Sequence, residues 1–257
     1  MRQSKTLARL KNNEPVRMCA LGHFIPGFVK HAAHHGFDCI WLDLEHRNWP
    51  TRDVQAMLAF SHLFDIDIML RPPTLEKTAL YRYLEDGAAG LMIPHVSTAE
   101  KAMMLVDSVK FPPIGNRGLD SAGLDADFMV NGPDGYLAEV NQQTFLVVQI
   151  ETPEAVANVD AIAAVRGVDG LFVGPGDLGL RLKYDTSSLT VNSAVEQVAA
   201  ACEKHGKAWG IPANTQEDLQ RRTAQGARML AHGGEFGAMM QMLKDCSATL
   251  DSVLGEA

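Results

Sequence analysis

Short runs of apolar residues, rich in β-branched and aromatic side chains, recur along the chain between segments of helical period. They are VRMCALG (16–22), CIWLDLE (39–45), DIMLRP (67–72) and GLMIPHV (90–96), then FLVVQIE (145–151), GLFVGP (170–175), AWGIPA (208–213) and RMLAHGG (228–234). Each is too short for a helix and too uniformly apolar for a half-exposed strand, so each predicts a parallel strand buried on both faces. The segments between them carry helix punctuation. Ser97 with Glu100 reads as a capping box, Thr152 before Pro153 as an N-cap with a first-turn proline, and Thr215 with Asp218 as a weaker box. Gly36, Gly87, Gly206 and Gly226 fall where helices should stop. Repeated βα units with right-handed crossovers close most simply into a (β/α)8 barrel, and an open doubly wound sheet is the alternative.

Two parts of the chain depart from that rhythm. Phe111 to Thr144 contains PPIGNRG and the glycines and proline Gly132, Pro133 and Gly135 but no strand pattern, which predicts a long excursion covering the catalytic face or meeting another subunit. After the eighth run, 236–254 reads as a final helix with methionines at 239, 240 and 242, packing on its own barrel or on a partner's. With no linker or low-complexity stretch, residues 1–257 read as one domain.

Composition narrows the function classes only slightly. A net charge of −8 without a basic cluster argues against a general nucleic-acid binder. Cys19, Cys39, Cys202 and Cys246 are scattered, which suits neither a zinc knuckle nor a disulfide framework and points to a reduced, cytoplasmic setting. The first residues lack the apolar core of a signal peptide, and no apolar run is long enough to span a membrane.

The chemistry should sit at the carboxyl ends of the strands, where parallel α/β proteins bind ligands. Glu151 and Asp177 end consecutive βα units, 26 residues apart, and could share a hard divalent cation or simply cap the helices that follow. The second strand ends LDLEH. Asp43 and Glu45 lie on one face there, and His46 follows as a candidate general base or as part of a capping cluster. Arg71 ends the third strand, either to stabilise an oxyanion or to pair with Asp43 or Glu45. His95, after the fourth, suits a supporting hydrogen bond. GPGDLG and the HGG of 232–234 could cradle a phosphate, while His31, His34 and His35 read as a solvated helix end. No lysine lies in any of the eight runs, which disfavours Schiff-base chemistry and leaves a metal as the electron sink.

LDLEH, IMLRP, LMIPHV, FPPIGNRG, VVQIET and GLFVGPGDL, in this order and at these intervals, resemble the HpcH/HpaI family of metal-dependent class II pyruvate aldolases. The resemblance runs from about Gly22 to Gly234. It implies a (β/α)8 barrel in which Glu151 and Asp177 hold Mg²⁺ or Mn²⁺, with Co²⁺ a further candidate. It also implies that Arg71 holds the pyruvyl keto oxygen, that His46 is the catalytic histidine with Asp43 as its partner, and that Glu45 stands behind the metal. The amides of Gly176 and Asp177, in the loop that begins at Gly174, would bind the substrate carboxylate. The implied reaction is reversible cleavage of a 4-hydroxy-2-oxo acid into an aldehyde and pyruvate, formed through its enolate. A homo-oligomer, a hexamer in this family, with exchanged carboxyl-terminal helices is implied as well, and no nucleic-acid or membrane partner. The sequence departs from the family at Gly179 and in the acidic stretch with Asp120, Asp125 and Asp127, which speaks against an acidic aldehyde if that stretch helps choose the aldehyde. Other readings are a citramalyl-CoA type thioester lyase, an oxaloacetate decarboxylase, a phosphosugar isomerase and a non-catalytic barrel that binds a sugar acid.

Overall fold

A computed structural model of the protein describes residues 2–130 and 135–255. The helix α1 (Lys5–Lys11) precedes β1 (Val16–Leu21), followed by α2 (Pro26–His34), β2 (Cys39–Asp43), α3 (Thr51–Leu63), β3 (Asp67–Arg71), α4 (Lys77–Glu85), β4 (Gly90–Ile93) and α5 (Ala99–Val109). After the excursion, α6 (Tyr136–Gln143) leads into β5 (Phe145–Ile150). Then come α7 (Pro153–Ala157), α8 (Val159–Ala163), β6 (Gly170–Val173), α9 (Pro175–Leu182), α10 (Val191–His205), β7 (Ala208–Pro212), α11 (Gln216–Ala224), β8 (Met229–Gly234) and α12 (Glu235–Leu254). The eight strands, all parallel, pair in sequence order, and β8 returns to β1, so the barrel is closed and the open sheet is excluded.

Alternation along the strands sorts the side chains into two layers. Outward residues such as Ile40, Leu42, Leu146 and Val148 pack under the helices. Inward residues such as Met18, Cys39, Met69, Phe145, Val147 and Phe172 fill the barrel. The inward rows turn polar towards their carboxyl ends: Trp41, Asp43 and Glu45 continue from Cys39, Arg71 from Met69, and Gln149 and Glu151 from Val147. A packed apolar plug thus supports a polar mouth. At the opposite end the amino-terminal segment closes the barrel. Asp67, wholly buried, accepts from the Ser4 hydroxyl (2.7 Å) and the Thr6 N–H (2.8 Å) and pairs with Arg2.

Most of the punctuation falls where the sequence predicts it. Gly36, Gly87, Gly206 and Gly226 all take positive φ at helix ends, the left-handed conformation that glycine adopts without steric penalty. Thr152 caps α7 by accepting from the Ala155 N–H, and Thr215 caps α11 by accepting from Asp218. The third cap differs. Thr98, not Ser97, accepts from Lys101 to start α5, because Ser97 is held across the mouth by the Thr152 hydroxyl (3.1 Å) and by Asn158 on its carbonyl (2.9 Å).

The described residues of the excursion do not cover the catalytic face of its own barrel. Helix α5 has already returned the chain to the amino-terminal ends of the strands, and the excursion packs there beside the end of α4. Arg117 and Asp125, both buried, pair at 3.0 Å, the Tyr136 hydroxyl donates to Asp125 (2.8 Å), and the Arg117 guanidinium lies over the Phe111 ring. Burial pushes the Asp125 carboxyl up despite Arg117 and Tyr136. A 3₁₀ turn spans Leu124–Met129. Gly132 and Pro133 lie outside the described residues. The acidic stretch therefore cannot repel an aldehyde at this barrel's own mouth.

Candidate active site

Arg71 is the centre of the polar mouth. Its Nε and Nη2 donate to the two oxygens of Asp43 (2.9 and 2.8 Å), a fork-on-fork pairing that fixes the guanidinium plane. The remaining Nη1 faces Glu45 Oε2 (3.1 Å) and Gln149 Oε1 (3.5 Å), and the cation lies 4.8 Å from the centre of the Trp41 ring. Burial raises the Asp43 carboxyl, but Arg71 outweighs it and holds Asp43 below the usual carboxylate range. Asp43 Oδ1 also accepts the backbone N–H of Glu45 and, more weakly, of His46 (3.4 Å), closing the turn after β2.

Asp43 and His46 are therefore brought together through the backbone, not through the imidazole. The carboxylate nearest the His46 ring is Glu45, with Oε2 3.6 Å from Nε2. Glu45 thus stands between Arg71 and His46, and its second oxygen lies 3.2 Å from His95 Nε2.

His95 is more deeply engaged than the sequence suggests. Its backbone N–H (2.7 Å) and its Nδ1 (2.9 Å) both reach Glu151 Oε1, so it bridges Glu151 and Glu45. It has φ 56°, a left-handed conformation that a non-glycine residue holds only when its surroundings impose it, and Lys101 Nζ secures its carbonyl at 2.6 Å. Gln149 was overlooked by sequence reasoning altogether. The signal was present, since it is the only polar residue within the FLVVQI run.

Glu151 is buried, and burial pushes its carboxyl above the usual range. The charges of Asp177 and Glu45 push the same way, while His95 holds it back. Three acids therefore share one field, and Glu151 lies where water helps it least. Asp177, in the first turn of α9, is more open and accepts from Arg181 Nη1 one helical turn later (2.6 Å). Gly174 and Gly176 complete the loop. A Cβ on Gly176 would meet nothing within 4 Å, so the amides around it are approachable.

The donor set provides the test of fit for a metal. Glu151 and Asp177 offer hard carboxylate oxygens in a cluster whose mutual repulsion a divalent cation relieves, and the residues fit Mg²⁺ or Mn²⁺. Among the described residues, no three His, Cys, Asp or Glu side chains form a ready-made metal cage. Two such ligands would leave the remaining positions of the ion to substrate and water.

Gly174 is required by this arrangement. A Cβ there would lie 2.6 Å from Glu151 Oε2 and 2.8 Å from Glu151 Cβ. Gly174→Ala is expected to displace the Glu151 carboxylate and reduce turnover ~10-fold or more, on the scale of a small misplacement of a catalytic group. Steady-state rates measured against Mg²⁺ concentration check this, and wild-type metal dependence would refute it.

Comparison with known proteins gives a consistent picture. Residues 18–241 match the family described as HpcH/HpaI aldolase/citrate lyase. A 5-keto-4-deoxy-D-glucarate aldolase of Klebsiella pneumoniae is 37% identical over 222 residues, covering 85% of each chain. Among solved structures, an HpcH/HpaI aldolase from Desulfitobacterium hafniense superposes with a TM-score of 0.88 at 26% identity, over 97% of this chain and 98% of that one. An HpcH/HpaI aldolase/citrate lyase family protein from Burkholderia cenocepacia gives 0.87 at 28% identity, over 96% and 99%.

Proposed function

Because the chain belongs to the HpcH/HpaI aldolase/citrate lyase family, we propose that it reversibly cleaves a 4-hydroxy-2-oxo acid into pyruvate and an aldehyde. The observation that carries this reading is the polar mouth itself, where a buried, charge-crowded Glu151 shares one cluster with Glu45, Asp177 and a clamped Arg71.

Arg71 meets the 2-oxo oxygen. Asp43 occupies Nε and Nη2, which leaves Nη1 as the donor aimed into the mouth. Negative charge grows on that oxygen only as the C3–C4 bond breaks, so a fixed N–H there favours the transition state over the ground state. Glu151 and Asp177 would hold a divalent cation, which would supply Lewis-acid charge stabilisation for the enolate. The His46 ring takes the proton of the 4-hydroxyl as the aldehyde forms, and Glu45 steadies the imidazolium that results. The C3–C4 electron pair passes into the enolate of pyruvate, which is protonated at C3 on release. First-turn amides at Gly176 and Asp177 receive the substrate carboxylate.

The deciding experiment is exchange of pyruvate methyl protons in D₂O, followed by NMR. Exchange is expected with Mg²⁺ or Mn²⁺ and not in excess EDTA. Absence of exchange with every divalent ion tested would overturn the reading, and undiminished exchange in EDTA would remove the metal from it.

The reading extends to a homo-oligomer, the hexamer that the family resemblance implies, located in the cytoplasm. Helix α12 supports the assembly: none of its residues is buried, and Phe236, Met239, Met240, Leu243 and Leu250 leave an apolar stripe exposed. Light scattering should show a multimer for the wild type, and Met240→Glu with Leu243→Glu should shift it towards smaller species. A monomeric wild type would refute the assembly. All four cysteines are free, as a reducing compartment would leave them, and no helix among the described residues is long and apolar enough to cross a membrane.

A further inference from the structure

A second cavity opens beside the polar mouth, between the loops that follow β1 and β2. It encloses about 300 Å³ and is lined by Gly22, His23, Arg47, Asn48, Trp49 and Asp53, among others. The same loop carries His46, and Trp49 Nε1 donates to the Asp43 carbonyl (3.0 Å), which fastens the cavity wall to the catalytic strand. The cavity therefore adjoins the loop that carries His46, the group assigned to the 4-hydroxyl proton.

The charges around it are unequal in their commitments. Glu235 is engaged at the rim through one oxygen: its Oε1 accepts the Gly22 N–H (2.7 Å) and lies 2.8 Å from His23 Nδ1, while the His23 ring stacks on Phe236. Arg47 makes no ion pair among the described residues. Among the described residues its only hydrogen bond runs from Nη1 to the His46 carbonyl (2.8 Å), which turns the guanidinium back over the catalytic loop. Gly22 makes room for it, since a Cβ there would lie 3.2 Å from Arg47 Nε. Asn48 and Asp53 add an amide and a carboxylate suited to hydroxyl groups.

We propose that Arg47 is the specificity-determining residue of the reaction, binding a carboxylate on the aldehyde-derived half of the substrate in this cavity. The inference rests on the aldolase reading above. A guanidinium with Nε and Nη2 unspent can take a carboxylate in the two-pronged geometry already used once in this molecule, between Arg71 and Asp43. Asp53 and Asn48 then favour an aldehyde that also carries a hydroxyl. The acidic excursion of the same protomer lies at the other end of the barrel and does not oppose such a fragment there.

The test compares two aldehydes of equal length, tartronate semialdehyde and glyceraldehyde, which differ in a carboxylate against a hydroxymethyl group. Each is added to pyruvate by wild type, Arg47→Ala and Arg47→Gln, and kcat and KM are measured separately. The wild type should prefer the acid, and both variants should lose ~10-fold or more of that preference, mainly through a higher KM for the acid. A ratio taken within one protein is insensitive to partial loss of folded material. A wild type without the preference, or variants that keep it, would overturn the proposal. If the wild type shows neither addition nor proton exchange, the reaction reading has failed instead. The cavity is then judged by calorimetry with glycerate: binding by wild type and not by Arg47→Ala supports it, and equal binding rejects it.

Discussion

Glu151→Gln is expected to lower kcat by about 10²-fold or more while leaving the barrel folded and no less stable. Glutamine has the shape of glutamate, and its amide oxygen can still accept the His95 N–H that now reaches Glu151 Oε1. The negative charge is what disappears. That charge is crowded by burial and by Asp177 and Glu45, so its removal relieves strain in the resting protein and deprives a cation of its buried ligand. The two consequences separate in a thermal melt. Mg²⁺ or Mn²⁺ should raise Tm of the wild type by mass action on the folded state and should leave Glu151→Gln unmoved. A variant that retained both turnover and the metal-dependent rise would eliminate Glu151 as a ligand.

Replacement of Arg71 should be as damaging to turnover and, unlike the first change, should also destabilise the fold. Arg71→Ala removes the donor at the 2-oxo oxygen, with an expected loss of about 10²-fold or more in kcat. It also leaves Asp43 and Glu45 without their counter-charge, at about 3 kcal/mol on the scale of a broken buried pair. Arg71→Lys restores the charge but not the fork, since one ammonium cannot occupy the Nε and Nη2 positions on Asp43 and still present a donor to the mouth, so activity should remain low. The stability loss has a pH signature. Asp43 is held below its usual range in the wild type, so it contributes stability above that range and loses it as pH falls through the lowered value. The gap between wild type and Arg71→Ala should be widest near neutrality and narrow below about pH 4. Urea titrations across that range measure it, and a pH-independent gap would mean that Asp43 does not carry the effect.

The barrel was legible because parallel strands buried on both faces leave unbroken apolar runs, and because glycines in the left-handed conformation stop the helices at Gly36, Gly87, Gly206 and Gly226. The acids at the mouth were legible for a related reason: Glu151 and Asp43 stand at the carboxyl ends of runs that begin apolar. Less visible was anything set by contacts between loops. Ser97 satisfies every local rule for an N-cap, and Thr98 takes the place because Ser97 is tied to Thr152 and Asn158. Of the two places the sequence offers the excursion, the mouth of its own barrel is excluded, because a segment that follows a returning helix starts at the amino-terminal ends of the strands, which leaves contact with another subunit. His95 could be located at the mouth, but its double hold on Glu151 depends on a left-handed backbone that no histidine announces.

Glu235 begins α12 and, with the same carboxylate, holds Gly22 and His23 at the rim of the Arg47 cavity. In the proposed assembly a helix with no buried residue in its own protomer would gain its cover from another copy, and that support would reach the mouth through Glu235 and through the Phe236 ring stacked on His23. Dilution should therefore lower activity per protomer as well as mass, with affinity for the aldehyde weakening before the chemistry on pyruvate does.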